Sequence, residues 1–302
     1  MSATEGGGGY VYALYRYTPS IPAAAIFAGV FLLLSILHMI RLFQKRAYFF
    51  IPFVVGLLFE CAGYIARIFS HFDTAALGPY IVQTMLILVA PPLFAASIYM
   101  TLGRIILKLD AEDQSIIPVR YLTKLFVIGD VISFLLQCGG GGYMAAGTLS
   151  AMSIGANIVI GGLAVQLLFF GFFVIVSAIF HWRVKKQPQI MHDSDSLQSQ
   201  GSASSTTWVS VMYALYAACV LILVRSVFRV VEFVEGNDGF IMRREYLLYI
   251  FDACLMSLTG IVLIIIFPGH LLHRSGKKRD SGLPLVSAED GFSYTERKSL
   301  DQ

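Results

Sequence analysis

Seven long apolar stretches, separated by short polar segments, dominate the hydrophobic pattern of the 302-residue chain. A helix needs about 20 mostly apolar residues to cross the hydrocarbon core of a bilayer. The stretches run approximately over Ile21–Ile40, Phe49–Phe69, Ile81–Leu102, Tyr121–Gly141, Asn157–Phe180, Val209–Val231 and Tyr246–Phe267. Because a backbone in lipid must satisfy its own hydrogen bonds, and because the sequence lacks the short alternating segments of a barrel, the pattern predicts an all-α fold. We expect a polytopic membrane protein with a seven-helix transmembrane bundle over residues 21–268.

The composition agrees with this pattern, since 57% of the residues are hydrophobic and only 14% are charged. Soluble domains carry about 25% charged residues, so one membrane bundle is expected rather than two soluble domains. The formal net charge of +3 is small and indicates no nucleic-acid partner. The sequence contains no GxxxxGKS/T phosphate loop, no HExxH metal motif and no GxSxG nucleophile motif. We therefore expect neither an ATP-driven pump nor an enzyme, and no cofactor or metal.

The orientation of the bundle follows from the loop charges. Fifteen Lys and Arg residues lie after the first, third and fifth stretches and in the C-terminal tail, against three in the other connections and the N-terminal tail. Positive loops remain on the cytoplasmic side. The split predicts that the N-terminus is outside and the C-terminus cytoplasmic. Residues 1–20 would then form an extracellular tail, the Ser- and Gln-rich residues 187–207 a disordered cytoplasmic loop, and residues 269–302 a cytoplasmic tail.

Thirteen polar or ionisable residues interrupt the apolar stretches, and such residues in a membrane span indicate function. Several are spaced seven apart, as Glu60 and Arg67 are, so they share one helix face. Their positions within the predicted spans place most of them toward the outer side of the membrane, with Glu60 and Asp130 near mid-membrane. The simplest interpretation is a polar cavity open to the outside, and the alternative is a set of ion pairs that only brace the helices. Because lone charges in lipid are costly, we expect at least one of Arg225 and Arg229 to pair across the cavity with Glu60, Asp130, Glu232, Glu245 or Asp252. The candidate substrate-binding residues are Glu60, Tyr64, Arg67, Gln83, Asp130, Gln137, Gln166, Arg225, Arg229, Glu232, Glu245, Tyr249 and Asp252.

Proline and glycine mark two positions of unusual backbone. Pro91 and Pro92 fall in the middle of the third stretch, where each removes a helix hydrogen bond. A kink or a broken helix is expected there, and it would serve either as a hinge or as a static bend. The glycines from Gly139 to Gly142 end the fourth stretch. They would permit close backbone approach, form a flexible gate, or simply terminate the helix.

Seven short motifs in these stretches resemble, in the same order, those of a known family. They are YRYTPS at Tyr15–Ser20, FECAGYIAR at Phe59–Arg67, LVAPPLFAASIYM at Leu88–Met100, GDVISFLLQCGGGG at Gly129–Gly142, NIVIGGLAVQ at Asn157–Gln166, VRSVFRVVEF at Val224–Phe233 and EYLLYIFD at Glu245–Asp252. Together they resemble the fungal lipid-translocating exporter family, also called the aminocholesterol-resistance family. The resemblance covers roughly residues 15–268. It includes nine of the thirteen polar positions: Glu60, Arg67, Asp130, Gln137, Arg225, Arg229, Glu232, Glu245 and Asp252.

The resemblance implies seven helices, a fungal membrane such as the plasma membrane, and a role in releasing sphingoid long-chain bases or resisting toxic amphiphiles. The leading hypothesis is therefore a protein that binds and moves an amphipathic lipid or cationic amphiphile, with carboxylates meeting the amine head group. A seven-helix receptor or sensor for a lipid-like ligand has the same topology and is the alternative. An intramembrane enzyme, with Asp130 and Asp252 as candidate acids, is the third. The sequence leaves the oligomeric state and the source of energy open.

Overall fold

The computed structural model describes residues 18–73, 77–144, 146, 148–186, 208–236, 239–241 and 244–269. Seven helices in this part are long and apolar enough to cross a membrane, which confirms the predicted seven-helix multi-pass architecture. The predictions for the N-terminal tail up to residue 17, for the loop 187–207 and for the tail from residue 270 lie outside the described residues. The described part contains helices, turns and loops but no strand.

The helices, numbered along the chain, are α1 Ile21–Lys45, α2 Ile51–Phe72, α3 Leu77–Lys108, α4 Val119–Met144, α5 Leu149–Lys185, α6 Trp208–Glu235 and α7 Glu245–Ile265. Helices α3 to α6 extend at both ends beyond the apolar stretches of the sequence, and α1 and α2 extend beyond them at their C-terminal ends. The hydrophobic pattern detects only the apolar part of a helix. Polar residues can extend the same helix toward the bilayer surface.

Local sequence signals begin and end several of these helices. Pro22 and Pro52 lie in the first turns of α1 and α2, where a missing N–H costs no helix bond. Thr148 caps α5 because its Oγ1 accepts a hydrogen bond of 3.2 Å from the backbone N–H of Ala151. Arg46 ends α1 in the left-handed region with a φ of 48°. The caps at Thr148 and Arg46 satisfy backbone groups that have no hydrogen-bond partner within the helix.

Successive helices pack side by side and alternate in direction, and α7 returns to contact α1. The backbone N–H of Ser20, just before α1, donates to Glu245 at the start of α7, and Arg41 near the end of α1 donates to the carbonyl of Ile264 near the end of α7. We call the end of the bundle where α1 and α7 begin the N-terminal end, and the opposite one the C-terminal end. Residues on α2, α4 and α6 therefore approach the N-terminal end as their numbers rise.

Aromatic packing fills the half of the bundle nearer the C-terminal end. The ring of Phe53 lies 4.4 Å from that of Phe94 and 4.8 Å from that of Phe50. His38 is fully buried among these rings, and its Nε2 is 3.0 Å from the carbonyl of Gly260. The ion pairs of Arg67, Arg225 and Arg229 lie toward the other end, where most of the charged residues that the sequence singled out are concentrated.

Two helices depart from the expected backbone. Helix α3 continues through Pro91 and Pro92 as one helix, so a broken helix at this position is wrong, whereas a kink stays a prediction. Its neighbours enclose it on several sides, and this packing outweighs the lost backbone bonds. In α7, by contrast, residues Tyr249–Cys254 form a π-helical turn that no proline or glycine signals. The glycines after Gly139 do not terminate α4 either, since the helix continues to Met144.

Candidate functional site

Nine of the thirteen predicted polar residues lie together between α2, α6 and α7, toward the N-terminal end. We call this group the arginine cluster; its members are Glu60, Tyr64, Arg67, Arg225, Arg229, Glu232, Glu245, Tyr249 and Asp252. All but Glu245 are buried, and the side chain of Glu245 is 19% exposed. The sequence interpretation of an open cavity is therefore wrong for this conformation. The charges pair with one another across the helices, and this pairing draws the side chains together.

Asp252 is the centre of the cluster. Its carboxylate forms an ion pair with Nε of Arg225 through Oδ1 and accepts a hydrogen bond of 2.8 Å from Nη2 of Arg229 through Oδ2. Arg229 also donates to Glu232, one turn later on α6, at 2.8 Å. The spacing of these residues on α6 places both guanidinium groups on the face that meets α7. The expectation that the buried arginines pair with carboxylates is confirmed.

The π-helical turn of α7 contains Asp252 and was not expected from the sequence. A π turn inserts extra backbone into a helix and occurs frequently at functional sites. Tyr249 begins the turn and Asp252 lies within it, so both polar residues of this stretch are carried by irregular backbone. The only sequence signal available was the polar spacing from Glu245 to Asp252, which a regular helix explains equally well.

Arg67 links α2 to the start of α7. Its Nε donates to the hydroxyl of Tyr249 at 3.1 Å, and its Nη2 donates to Oε1 of Glu245 at the same distance. The guanidinium carbon lies 5.4 Å from the centre of the Tyr249 ring. Glu245 also accepts the backbone N–H of Ser20 at 2.7 Å, which connects α1 to this pair. The partly exposed Glu245 is thus the member of the cluster nearest to solvent.

A proline explains one contact of Arg225 that side-chain spacing did not predict. Nη2 of Arg225 donates a hydrogen bond of 2.6 Å to the backbone carbonyl of Ile87 on α3. In a regular helix that carbonyl would accept the N–H of the residue four positions later, which is Pro91, and proline has none. The free carbonyl is therefore available to a donor from another helix. Pro91 thus provides the acceptor that holds Arg225 against α3.

Glu60 differs from the other carboxylates of the cluster. It is fully buried beside Asp252, Arg225 and Arg229, yet neither of its oxygens has a hydrogen-bond partner in the described part of the chain. The cluster contains three guanidinium groups and four carboxyl groups, and three of these carboxyl groups, those of Glu232, Glu245 and Asp252, form ion pairs with the arginines. An unpaired charge in such surroundings is costly. Glu60 is therefore the carboxyl group that could accept one further cation.

Aromatic side chains lie next to the cluster on the side of α1. The ring of Tyr249 stacks on Phe27 at 5.5 Å and lies 6.1 Å from Tyr64, which in turn stacks on Phe31 at 5.6 Å. The Tyr64 hydroxyl points toward Oδ2 of Asp252 at 3.5 Å. Aromatic faces beside carboxylates can bind an organic cation, because the ring quadrupole attracts positive charge. The site could therefore accommodate an amine that carries an apolar chain.

The structure places the other four predicted residues outside the arginine cluster. Gln137 and Gln166 form a hydrogen bond of 3.0 Å between α4 and α5, and Gln83 is buried where α3 passes Gly63. Asp130 was expected near the arginines, and this placement is wrong. No ion pair in the described residues includes it, and the polar group that acts on it is the hydroxyl of Tyr99 on α3. The helix-face argument aligned residues within one helix but could not say which neighbour that face meets.

Comparison with known proteins gives several matches over most of the chain. A family model described as "RTA1 like protein" matches residues 53–275. Protein RTA1 of Saccharomyces cerevisiae is 38% identical over 282 residues, which cover 85% of this chain and 85% of that protein. Protoporphyrin uptake protein 1 of the same yeast is 34% identical over 294 residues, covering 86% of this chain and 92% of that protein.

A more distant match has a name that refers to a lipid. The sphingoid long-chain base transporter RSB1 of Saccharomyces cerevisiae is 24% identical over 279 residues, covering 84% of this chain and 72% of that protein. No solved structure matches the chain. One relative is named for protoporphyrin and another for sphingoid long-chain bases. The choice between such ligands therefore rests on the chemistry of the buried site.

Proposed function

The chain belongs to the RTA1-like protein family, and from that premise we propose that it is a membrane transporter for amphipathic lipids with a cationic amine head group. Sphingoid long-chain bases are such lipids, and one relative is named as their transporter. A second relative is named for protoporphyrin uptake. Family membership therefore supports a lipid-like substrate in general, and the preference for an amine is argued from the arginine cluster alone.

The observation that carries the proposal is the unpaired carboxyl group of Glu60. It is fully buried beside Asp252, Arg225 and Arg229, and it has no hydrogen-bond partner among the described residues. A primary ammonium group brings one positive charge and three N–H donors. At this position it would give the fourth carboxyl group a counter-ion. An anionic head group would instead have to compete with carboxylates that already occupy the arginines.

The environment of Glu60 also suits the rest of an amphiphile. Tyr64 lies one turn after Glu60 on α2, and its ring contacts Phe27 and Phe31 of α1. Helix α1 exposes large apolar side chains on its other faces, among them Ile26 and Leu33. A bound amine could therefore place its head group at Glu60 while its chain lies against α1 and the surrounding lipid. The receptor alternative uses the same site but requires no movement of the ligand.

The experiment is transport by the purified protein in liposomes, with a fluorescent sphingoid base compared with its neutral N-acylated analogue and with protoporphyrin. We expect movement of the amine and much slower movement of the other two. The Glu60→Gln variant should reduce amine transport about tenfold or more, because it removes the charge that an ammonium group needs. The control is Glu112→Gln, an exposed carboxyl group in the connection between α3 and α4.

Each other outcome separates the rivals. Saturable binding of the amine without movement would favour the receptor. A chemically altered lipid, detected by mass spectrometry of the recovered sample, would favour the enzyme. Full activity of Glu60→Gln at normal abundance, or equal transport of all three compounds, would overturn the amine site.

We also propose that the N-terminal end of the bundle faces outward at the plasma membrane, since the loops at the C-terminal end hold most of the basic residues. Single cysteines introduced within residues 70–80 should react with an impermeant reagent on intact cells, whereas cysteines within residues 187–207 should react only after permeabilisation. The reverse pattern would contradict this orientation. Amine substrates would then enter or leave the arginine cluster from the outer side.

A further inference from the structure

A second buried acid lies apart from the arginine cluster. Asp130 on α4 is 4% exposed, and in the described part of the chain neither of its oxygens has a partner within hydrogen-bonding geometry. Tyr99 on α3 is fully buried, faces this carboxyl group closely enough to interact with it electrostatically, and likewise has a hydroxyl without a partner. Two different helices thus bring two unpartnered polar groups together.

The surroundings of Asp130 differ in charge from those of Glu60. Among the described groups on α3, α5 and α6, Tyr99 is the titratable side chain that acts on Asp130, and Cys219 of α6 lies beside that tyrosine. Lys124, on the same helix, is exposed and forms no ion pair with Asp130. A carboxyl group in hydrocarbon surroundings without a counter-ion exists more cheaply as the neutral acid. Its natural ligand is therefore a proton.

The two sides of Asp130 also differ. Toward the N-terminal end, the same face of α4 continues with Ser133 and Gln137, both buried, and Gln137 bonds to Gln166. Toward the C-terminal end, the ring of Phe126 lies 5.3 Å from that of Tyr99. Further rings, of Phe170 and Phe173, close around Tyr99 at 6.2 and 4.5 Å. In this conformation a buried polar stripe runs from Asp130 as far as Gln137 in the direction of the N-terminal end, and an aromatic layer lies on the other side.

One helix contacts both sites. Helix α3 supplies the Ile87 carbonyl to Arg225 in the arginine cluster and, twelve residues later, the Tyr99 hydroxyl to Asp130. At 1.5 Å per residue these positions are roughly 18 Å apart along the helix. Pro91 and Pro92 lie between them and remove two of the backbone bonds of α3. A small bend at the prolines would therefore change both sites together.

We propose that Asp130, positioned by Tyr99, is a proton-carrying site that couples proton movement across the membrane to movement of the amphiphile at Glu60. The proposal rests on the proposed transport function and adds its source of energy. The carboxylic acid releases its proton to water through the Gln137 side, and after the bundle rearranges, the carboxylate takes a proton from the other side. Tyr99 donates its O–H to the carboxylate between these two steps. No bond other than O–H is formed or broken.

The test uses liposomes that contain the full chain, a pH-sensitive dye and a fluorescent amphiphile with a trimethylammonium head group. This head group is permanently charged, so the amphiphile carries no proton of its own. If one proton exchanges for one cationic amphiphile, a pH difference of one unit supports about a tenfold difference in amphiphile concentration between the two sides. The wild-type protein should accumulate the amphiphile to this extent. Asp130→Asn should fail to accumulate it, so that the two sides reach at most equal concentrations of the amphiphile.

Two further measurements test whether Asp130 carries the proton and whether Tyr99 positions it. The infrared spectrum of the wild type should contain a carboxylic-acid carbonyl band that disappears in Asp130→Asn and persists in Asp113→Asn, an exposed control. Tyr99→Phe should shift the pH at which transport is half-maximal while leaving the maximal rate close to that of the wild type. A role of Tyr99 in packing alone would lower the maximal rate and leave that pH unchanged.

The failures are distinguishable. If the wild type transports the amphiphile but ignores the pH difference, or if Asp130→Asn still responds to it, the coupling site is wrong and the transport function stands. A response to a sodium gradient in place of the pH gradient would assign Asp130 to a metal cation instead and overturn the proton site. If the wild type moves neither this amphiphile nor the fluorescent sphingoid base, the transport function fails, and absence of the infrared band would then overturn the proton site independently.

Discussion

The arginine cluster and the Asp130 site are both buried polar groups in one bundle, but they achieve stability differently. Asp252 lies in contact with two guanidinium groups, and both are buried with it. Among the described residues, the polar side chain that acts on Asp130 is Tyr99, and the helices around it pack through glycines and aromatic rings. A charge in lipid needs a counter-ion or a proton, so the first region is held by pairing and the second by packing. Two buried aspartates of one bundle therefore differ in that one has guanidinium partners and the other has no ion pair among the described residues.

The largest expected effect comes from removing the centre of the pairing. Asp252→Asn would leave two buried guanidinium groups without their common counter-ion, so we expect a loss of about 3–5 kcal/mol in the free energy of unfolding. The matched control is Asp130→Asn, which removes an acid of similar burial but without an ion pair, and should cost less than about 0.5 kcal/mol.

Thermal unfolding of the purified variants in detergent measures both substitutions. Equal destabilisation by Asp252→Asn and Asp130→Asn would show that burial, and not pairing, governs the two regions. The same result would weaken the assignment of Asp130 as an exchangeable group, because an unpaired acid should be replaceable at little cost to the fold.

A smaller effect is expected where packing holds α4 to α5. A Cβ atom added to Gly140 would lie 2.6 Å from the carbonyl oxygen of Gly155, whereas one added to the neighbouring Gly139 would meet nothing within 4 Å. Gly140→Ala should therefore cost about 1–3 kcal/mol through overpacking. The control Gly139→Ala should be neutral or slightly stabilising in the same unfolding measurement. Comparable melting temperatures for the two variants would mean that close approach at Gly140 does not hold this pair of helices.

The smallest effect tests the link between the two regions. Pro91→Ala restores a backbone N–H that can bond to the Ile87 carbonyl and so competes with Arg225. The bond from Arg225 to this carbonyl, like other hydrogen bonds to charged groups, contributes about 1.5–3 kcal/mol. Its loss would leave Arg225 less well positioned beside Glu60, so we expect roughly tenfold weaker amine binding. The restored backbone bond of α3 offsets part of the loss, so stability should change little. Pro92→Ala, which returns a bond to a different carbonyl, is the control in a fluorescence titration with the sphingoid base. Equal losses in both variants would assign the effect to general stiffening of α3.

The family and the seven spans follow from the sequence, and both were confirmed. The resemblance rested on motifs in the spans, and the family model covers most of the same region. That Arg225 and Arg229 would find carboxylate partners also followed, because lone charges in lipid are costly. The assignment of the thirteen polar residues to substrate binding stays a prediction, as does the hinge at Pro91 and Pro92.

Helix number and the helix face on which each polar residue lies were determined by the sequence itself, because both depend on hydrophobicity and on a local period of 3.6 residues. Which faces meet was decided only by the tertiary structure. Asp130 and Glu60 were both expected near mid-membrane, each with a polar residue seven positions later, but α4 turns its acid toward Tyr99 while α2 turns its acid toward two arginines. The π turn around Asp252 and the carbonyl freed by Pro91 likewise acquire their roles from neighbouring helices. Pairing energies depend on contacts between residues far apart in the chain, and a local pattern contains no information about those contacts.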